Sequence, residues 1–142
     1  MLANADITSY ARQQISGRLG RLVFEIHRTS RSMDVEAVHD LRVAIRRFSQ
    51  SLAVFSSLLP KRPVKKVRRR LKQIRDAAGR LRDVDIAMAL VAGHGIDQAG
   101  PLAARLAEAR KQAEPALADQ MRRFTDSNLS EKWRSALGLH QP

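Results

Sequence analysis

The chain has 142 residues, of which 44% are hydrophobic and 28% are charged, so it is long enough and apolar enough to bury the core of one domain. Cysteine is absent, which excludes disulfides and thiolate metal sites and is compatible with a reducing cytoplasm. No segment approaches the ~20 apolar residues of a membrane span, and no signal peptide is apparent, so we expect a soluble protein.

The net charge of +12 is concentrated in one segment. Residues 61–82 contain 11 Lys or Arg and a single acid, Asp76, which gives this segment a net charge of +10. A dispersed excess of cations would only keep the protein in solution. A concentrated excess predicts a polyanionic partner, such as nucleic acid, an anionic membrane or a phosphate polymer.

Hydrophobic residues recur at helical spacing along almost the whole chain, and the sequence contains no strand-like alternation and no internal repeat. The first predicted helix covers residues 4–29. After the polar segment TSRSMD, Asp34 is the predicted N-cap of a second helix that runs to Leu59. Pro63 suits the first turn of a third helix, which reaches Ala92.

The remaining sequence predicts two further helices. The segment GHGIDQAGP is a predicted loop, and a fourth helix follows it over residues 101–124. Pro115 is expected to kink or break this helix, because proline lacks a backbone hydrogen-bond donor. A short fifth helix covers roughly residues 129–138. Together these elements predict one all-α domain, residues 1–142, built as an antiparallel bundle of about four to five helices with short loops.

The second and third helices both carry a basic stripe away from their apolar side, at ~100° of rotation per residue. The stripe of the second helix, flanked by Arg47, consists of His39, Arg42, Arg46 and Gln50. The stripe of the third helix, bordered by Arg69 and Asp83, consists of Lys65, Arg68, Lys72, Arg75, Gly79 and Arg82.

Such rows of cations predict a binding surface. Neighbouring like charges destabilise an isolated helix by roughly 0.2–0.5 kcal/mol per pair, and few acids are present here to offset this. Side chains at i and i+3 or i+4 emerge ~5–6 Å apart, so each row matches successive charges of a linear polyphosphate-like chain. Arginine can also contact two phosphate oxygens at once. If the two helices pack side by side, their stripes line one basic groove.

Asp85 projects towards the apolar side of the third helix, where a carboxylate needs a partner. We expect a structural ion pair or a hydrogen bond to a neighbouring helix. A catalytic acid would need a second carboxylate or a metal ligand beside it, and the sequence does not clearly supply either.

Two separated segments carry motifs that occur together in a known family. The segment AVHDLRVAIRRFSQSLAVFSSLLP (37–60) contains a histidine, then Leu-Arg-Val, a basic pair and a Leu-Leu-Pro stop. The segment LKQIRDAAGRLRDVDI (71–86) contains a glycine, two residues, Arg-Asp, one residue and a second Asp. In this order the motifs resemble the CHAD domain, the conserved histidine α-helical domain. The resemblance covers about residues 5–95, and the rest of the chain shares only helical character.

The resemblance implies a module that binds inorganic polyphosphate non-covalently through a basic groove and is associated with polyphosphate granules in the cytoplasm. We expect no cofactor, no metal and no catalytic residue. The expected binding residues, by motif position or by their place on the same stripe, are His39, Arg42, Arg46, Arg68, Lys72, Arg75 and Arg82. The expected secondary basic contacts are Arg47, Lys65 and Arg69. The resemblance also implies that Asp83 orients nearby arginines and that Asp85 braces the bundle.

Two features depart from the family pattern. Phe48-Ser49 stand where a basic residue often follows the arginine pair, which would thin the groove at that point. The family typically has two pseudo-symmetric helical halves, each with a basic helix, and this chain looks like a single half. Either a second copy completes the groove, or the chain is a fragment or a minimal version of the domain. Apolar residues near the C-terminus (Trp133, Leu137 and Leu139) lead to the hypothesis of pairing with a second copy.

Three alternative functions remain open. A sequence-independent nucleic-acid-binding protein would use the same cations, but aromatic content is 4% and the basic stripes offer no aromatic ring for base stacking. An HD-type metal-dependent phosphohydrolase would use His39-Asp40, with His27 and Asp85 as conceivable further ligands, although the cationic stripe would repel a dication. A membrane-surface protein would insert the apolar face of the third helix, but this face lacks Trp and Phe and is needed for the core.

Overall fold

The structure, a computed structural model, describes the backbone of residues 2–140 and the side chains of residues 6–140. Its α-helices are α1 (Leu2–Arg31), α2 (Val35–Val54), α3 (Lys61–Gly93), α4 (Pro101–Asp126) and α5 (Leu129–Ala136). A short 3-10 helix, Ser56–Leu58, follows α2. No strand occurs within residues 2–140, so the predicted all-α bundle is confirmed.

Both ends of α2 follow from local sequence chemistry. Asp34 is extended, and its carboxylate accepts a hydrogen bond of 2.8 Å from the backbone N–H of Ala37, which confirms the predicted N-cap. The α-helix ends at Val54, earlier than predicted, and the chain tightens into the 3-10 helix. Leu59 is then extended, with φ −118° and ψ 151°, because the following Pro60 disfavours helical geometry at the residue before it.

The two longest segments after α2 are continuous helices. α3 runs through Gly79, where an added Cβ atom would meet nothing within 4 Å, so no close contact requires a glycine there. α4 runs through Pro115, and the break considered at that position does not occur. Leu117, Met121 and Phe124 are buried just beyond the proline, and this packing stabilises the second half of α4 as a helix.

The hydrophobic core lies where all the helices meet, and the short α5 closes it. Trp133 of α5 stacks against Phe48 of α2 at a ring-centroid distance of 6.0 Å and meets Phe124 of α4 edge-on at 5.3 Å. The largest fully buried side chains are Phe48, Phe124, Ile15, Leu19, Leu22, Ile26, Leu41, Ile45, Leu52, Leu71, Ile74 and Leu81. Within residues 2–140, no helix is long and apolar enough to cross a membrane.

The apolar residues near the C-terminus belong to this core. Trp133, Leu137 and Leu139 are only 6%, 3% and 8% exposed. The hypothesis of pairing with a second copy rests in part on these three residues. Because they are buried within their own bundle, they give it no support.

Candidate functional site

Packing of α2 against α3 determines which side chains the two helices turn outward. Leu41, Ile45 and Leu52 of α2 and Val67 and Ile74 of α3 are at most 1% exposed. The polar stripe of an amphipathic helix lies away from its buried face, so burial of these residues turns both stripes towards solvent. A groove of about 730 Å³ runs between them.

All seven residues expected to bind polyphosphate line this groove. From α2 and α3 they are His39, Arg42, Arg46, Arg68, Lys72, Arg75 and Arg82. The other lining residues are uncharged, and they are Val43, Ile45, Ser49, Gln50, Ala53 and Leu71. The structure therefore brings the two predicted stripes together across one surface.

The expected secondary contacts lie outside this groove. Lys65 and Arg69 are exposed on α3 without lining it, and Arg47 lines a neighbouring groove between α1 and α2. Asp83 is exposed, and its side chain has no ion-pair or hydrogen-bond partner within residues 6–140, so it contacts no arginine in this structure.

Carboxylates offset few of the charges in the groove. Asp76 lies 3.5 Å from Nζ of Lys72 and 3.8 Å from Nε of Arg75, and all three side chains are more than half exposed. Exposed ion pairs contribute only about 0–1 kcal/mol, so an anionic ligand can displace this carboxylate at little cost. The groove residues without an ion-pair partner in the described part of the chain are His39, Arg42, Arg46, Arg68 and Arg82.

One donor at the groove is buried without an acceptor. Nε of Arg42 is shielded from solvent and has no hydrogen-bond partner among the described residues. Leaving a buried donor unsatisfied costs roughly 1–3 kcal/mol. The Arg42 guanidinium therefore keeps hydrogen-bonding capacity that no side chain or carbonyl of the described residues uses.

A buried ion pair connects α3, which forms one wall of the groove, to α4. Nε of Arg110 in α4 donates a 2.7 Å hydrogen bond to Asp85, whose side chain is 1% exposed. Arg110 also donates to Glu114 at 2.8 Å and to the backbone carbonyl of Met33. The hydrogen bond to Asp85 raises the pKa of Arg110, although burial acts in the opposite direction. Because Asp85 lies one helical turn after Arg82, the pair holds that end of the basic stripe in place.

A second ion-pair network fixes α2 on its other side. Arg28 of α1 donates to Asp40 at 2.6 Å and to Glu25, which is 1% exposed, at 3.4 Å. The hydrogen bond to Asp40 raises the pKa of Arg28. Asp40 adjoins His39, so this contact holds the start of the α2 stripe. Sequence patterns indicated neither Arg28 nor Arg110, because their partners Asp40 and Asp85 are 12 and 25 residues away and on other helices.

The residues considered for a phosphohydrolase centre do not come together. Asp40 pairs with Arg28, Asp85 pairs with Arg110, and His39 lies in the basic groove. Across the described part of the chain, no group of three or more His, Cys, Asp or Glu is placed to hold a metal ion. The geometry of these side chains gives no support to a metal-dependent hydrolase.

Comparison with protein families decides the affiliation of the chain. The model of the CHAD domain family matches residues 13–142. The chain belongs to the CHAD family. The match extends well beyond the region assigned from the two motifs, because it includes all of α4 and α5. No curated protein and no solved structure matches the chain.

The motifs of this CHAD domain lie on the two helices that form the groove. The first motif, residues 37–60, covers most of α2, and the second, residues 71–86, lies within α3. After the basic pair of the first motif, Phe48 is fully buried and the uncharged Ser49 lines the groove. The groove therefore has a short neutral stretch in its α2 wall.

Proposed function

We propose that this CHAD domain binds inorganic polyphosphate in the groove between α2 and α3, without a cofactor and without catalysis. One observation carries the proposal. Seven basic side chains from two helices line a single groove, and no carboxylate is among its lining residues. The CHAD domain in general binds polyphosphate, which is consistent with this use of the groove.

The arrangement suits a linear chain of phosphates. Cations recur every three or four residues along both walls, apart from a step of seven between Arg75 and Arg82, so a chain lying in the groove would meet positive charge from two sides. Arginine side chains can fork onto two phosphate oxygens, whereas Lys72 offers a point charge. The apolar residues Ile45 and Leu71 also line the groove, between the basic side chains of its two walls.

Sequence-independent binding of nucleic acid is the second candidate, because the same cations would neutralise any phosphate backbone. No Phe, Tyr or Trp lines the groove, so unpaired bases would find only the small ring of His39 on which to stack. We therefore expect nucleic acid to bind more weakly than polyphosphate. A membrane surface is a poorer partner still, because the apolar face of α3 is buried, with Val67, Leu71 and Ile74 at most 2% exposed.

Two further expectations depend on the proposed binding of polyphosphate. Binding of polyphosphate would place the protein at polyphosphate granules in the cytoplasm. Pairing with a second copy would extend the groove, with a contact surface other than the buried C-terminal residues. Sedimentation of the protein with and without polyphosphate tests the pairing, and a monomer under both conditions would rule it out.

Charge reversal within the groove tests the proposed function. Arg75→Glu changes a lining residue, and Arg105→Glu makes the same change at an exposed residue of α4 that does not line the groove. We expect Arg75→Glu to weaken binding of long-chain polyphosphate about tenfold or more, since a hydrogen bond to a charged group contributes about 1.5–3 kcal/mol. We expect Arg105→Glu to have a much smaller effect.

Both variants are checked by circular dichroism. An equal loss of affinity in both would show that binding depends on net charge and not on the groove. Loss of helicity in Arg75→Glu would show that Arg75 is needed for folding, and the proposal would then have no support from this residue.

A further inference from the structure

A second basic groove lies on the other side of α2, between α1 and α2, with a volume of about 420 Å³. Its basic lining residues are Arg18, Arg21, His39, Arg46 and Arg47. His39, Val43 and Arg46 line both grooves, so the two grooves meet along this exposed side of α2.

The two acids of the second groove are neutralised within the protein. Glu25 is 1% exposed and accepts hydrogen bonds from Arg21 at 3.3 Å and from Arg28 at 3.4 Å. Asp40 accepts a hydrogen bond of 2.6 Å from Arg28, which is not itself a lining residue. The lining cations that have no ion-pair partner within residues 6–140 are Arg18, Arg46 and Arg47. The groove therefore presents a net positive charge to a ligand.

Arg21 is positioned at the edge of this groove before any ligand binds. Its guanidinium is hydrogen-bonded to Glu25 and lies over the ring of Phe24, 5.1 Å from the ring centroid. The side chain nevertheless remains 62% exposed, so further N–H donors face solvent. A side chain that is already held in place loses less conformational entropy on binding.

We propose that the binding surface for polyphosphate crosses α2 at Arg46 and continues into the second groove, where Arg18, Arg21 and Arg47 contact a further stretch of the same chain. This inference rests on the proposed function of the first groove. Once a chain is bound in the first groove, contact with the second is intramolecular and raises overall affinity. Long chains that reach both grooves should therefore bind more tightly than chains that fill only the first.

Calorimetry of the 142-residue chain with tripolyphosphate and with long-chain polyphosphate tests this inference. Arg18→Ala/Arg47→Ala removes two cations of the second groove and leaves the Glu25 ion pairs intact. Arg80→Ala/Arg105→Ala removes two exposed cations that line neither groove and serves as the control.

We expect the first double variant to bind long-chain polyphosphate roughly fivefold more weakly, within the range for the loss of two exposed charge contacts. Its slope of log affinity against log salt should be smaller by about 1.4, since each contact with a single-stranded polyanion contributes about 0.7. Binding of tripolyphosphate should change less than about twofold, and the control should bind both ligands like the wild type.

Two results would overturn the extension: unchanged binding of long chains, or equal weakening for both chain lengths. If the wild-type protein binds neither ligand, the proposed function fails as well, and this outcome is recognised without any variant. Circular dichroism establishes that the double variant is folded. If it is not, Arg47→Ala alone is compared with Arg105→Ala by the same criteria, with an expected loss for long chains of about twofold to fivefold.

Discussion

Asp85→Ala should destabilise the bundle, because it removes the buried carboxylate that connects α3 to α4. The Asp85 side chain is 1% exposed and accepts hydrogen bonds from Nε of Arg110 at 2.7 Å and from its Nη2 at 3.4 Å. Removal of this carboxylate leaves the Arg110 side chain, which is 17% exposed, with Glu114 and the carbonyl of Met33 as its partners.

The expected loss can be bounded from this geometry. Removing one partner of a buried ion pair costs about 3–5 kcal/mol. Because Arg110 keeps its ion pair with Glu114, whose side chain is 42% exposed, we expect a value near the lower end, about 3 kcal/mol. The folding free energy of a domain is only about 5–15 kcal/mol, so this is a large fraction of it. At about 2–4 °C per kcal/mol for a chain of this size, Tm should fall by roughly 6–12 °C.

Urea unfolding followed by far-UV circular dichroism measures this loss. Asp85→Asn keeps the shape of the side chain but not its charge, and we expect an intermediate effect of about 1.5–3 kcal/mol. Glu114→Gln alters the more exposed partner of Arg110 and should cost less than about 1 kcal/mol. A loss below about 1 kcal/mol for Asp85→Ala would refute the idea that this carboxylate braces the bundle. Where the variant remains folded, it should still bind polyphosphate, because Asp85 does not line the groove.

Two further predictions concern the cations of the first groove. His39→Ala should weaken binding of long-chain polyphosphate about twofold to tenfold in calorimetric titrations, because it removes a hydrogen-bond donor from the α2 wall of the groove. An affinity equal to that of the wild type would show that His39 does not contact phosphate. Lys72→Ala should reduce the slope of log affinity against log salt by about 0.7, as measured by titrations over a range of salt concentrations. An unchanged slope would show that Lys72 does not contact phosphate.

Local periodicity predicted the residues of both walls of the first groove. The spacing of His39, Arg42 and Arg46 along one helix determines that they share a face, and burial of the opposite apolar face then determines that this face points outward. The same reasoning applied to α3, and the only additional requirement was that the two helices pack side by side. Asp34 was also predictable, because an N-cap depends on a few adjacent residues.

Features that depend on which helices meet were not predictable in this way. The need of Asp85 for a partner was visible in the sequence, but its partner Arg110 lies 25 residues away on another helix. Arg18 and Arg21 became candidates only because α1 packs beside α2 and places them next to Arg46. Tryptophan is enriched at protein interfaces. Trp133 nevertheless fills the core, because α5 folds back onto α2 and α4.

The most direct test of preferential polyphosphate binding by this groove is calorimetric titration at about 150 mM salt, where the screening length is ~8 Å. Long-chain polyphosphate, duplex DNA and single-stranded RNA are titrated in parallel into the 142-residue chain. We predict tight binding of polyphosphate and much weaker binding of both nucleic acids. Equal affinity for all three, lost together as salt is raised, would contradict this prediction and identify the groove as a general cationic surface.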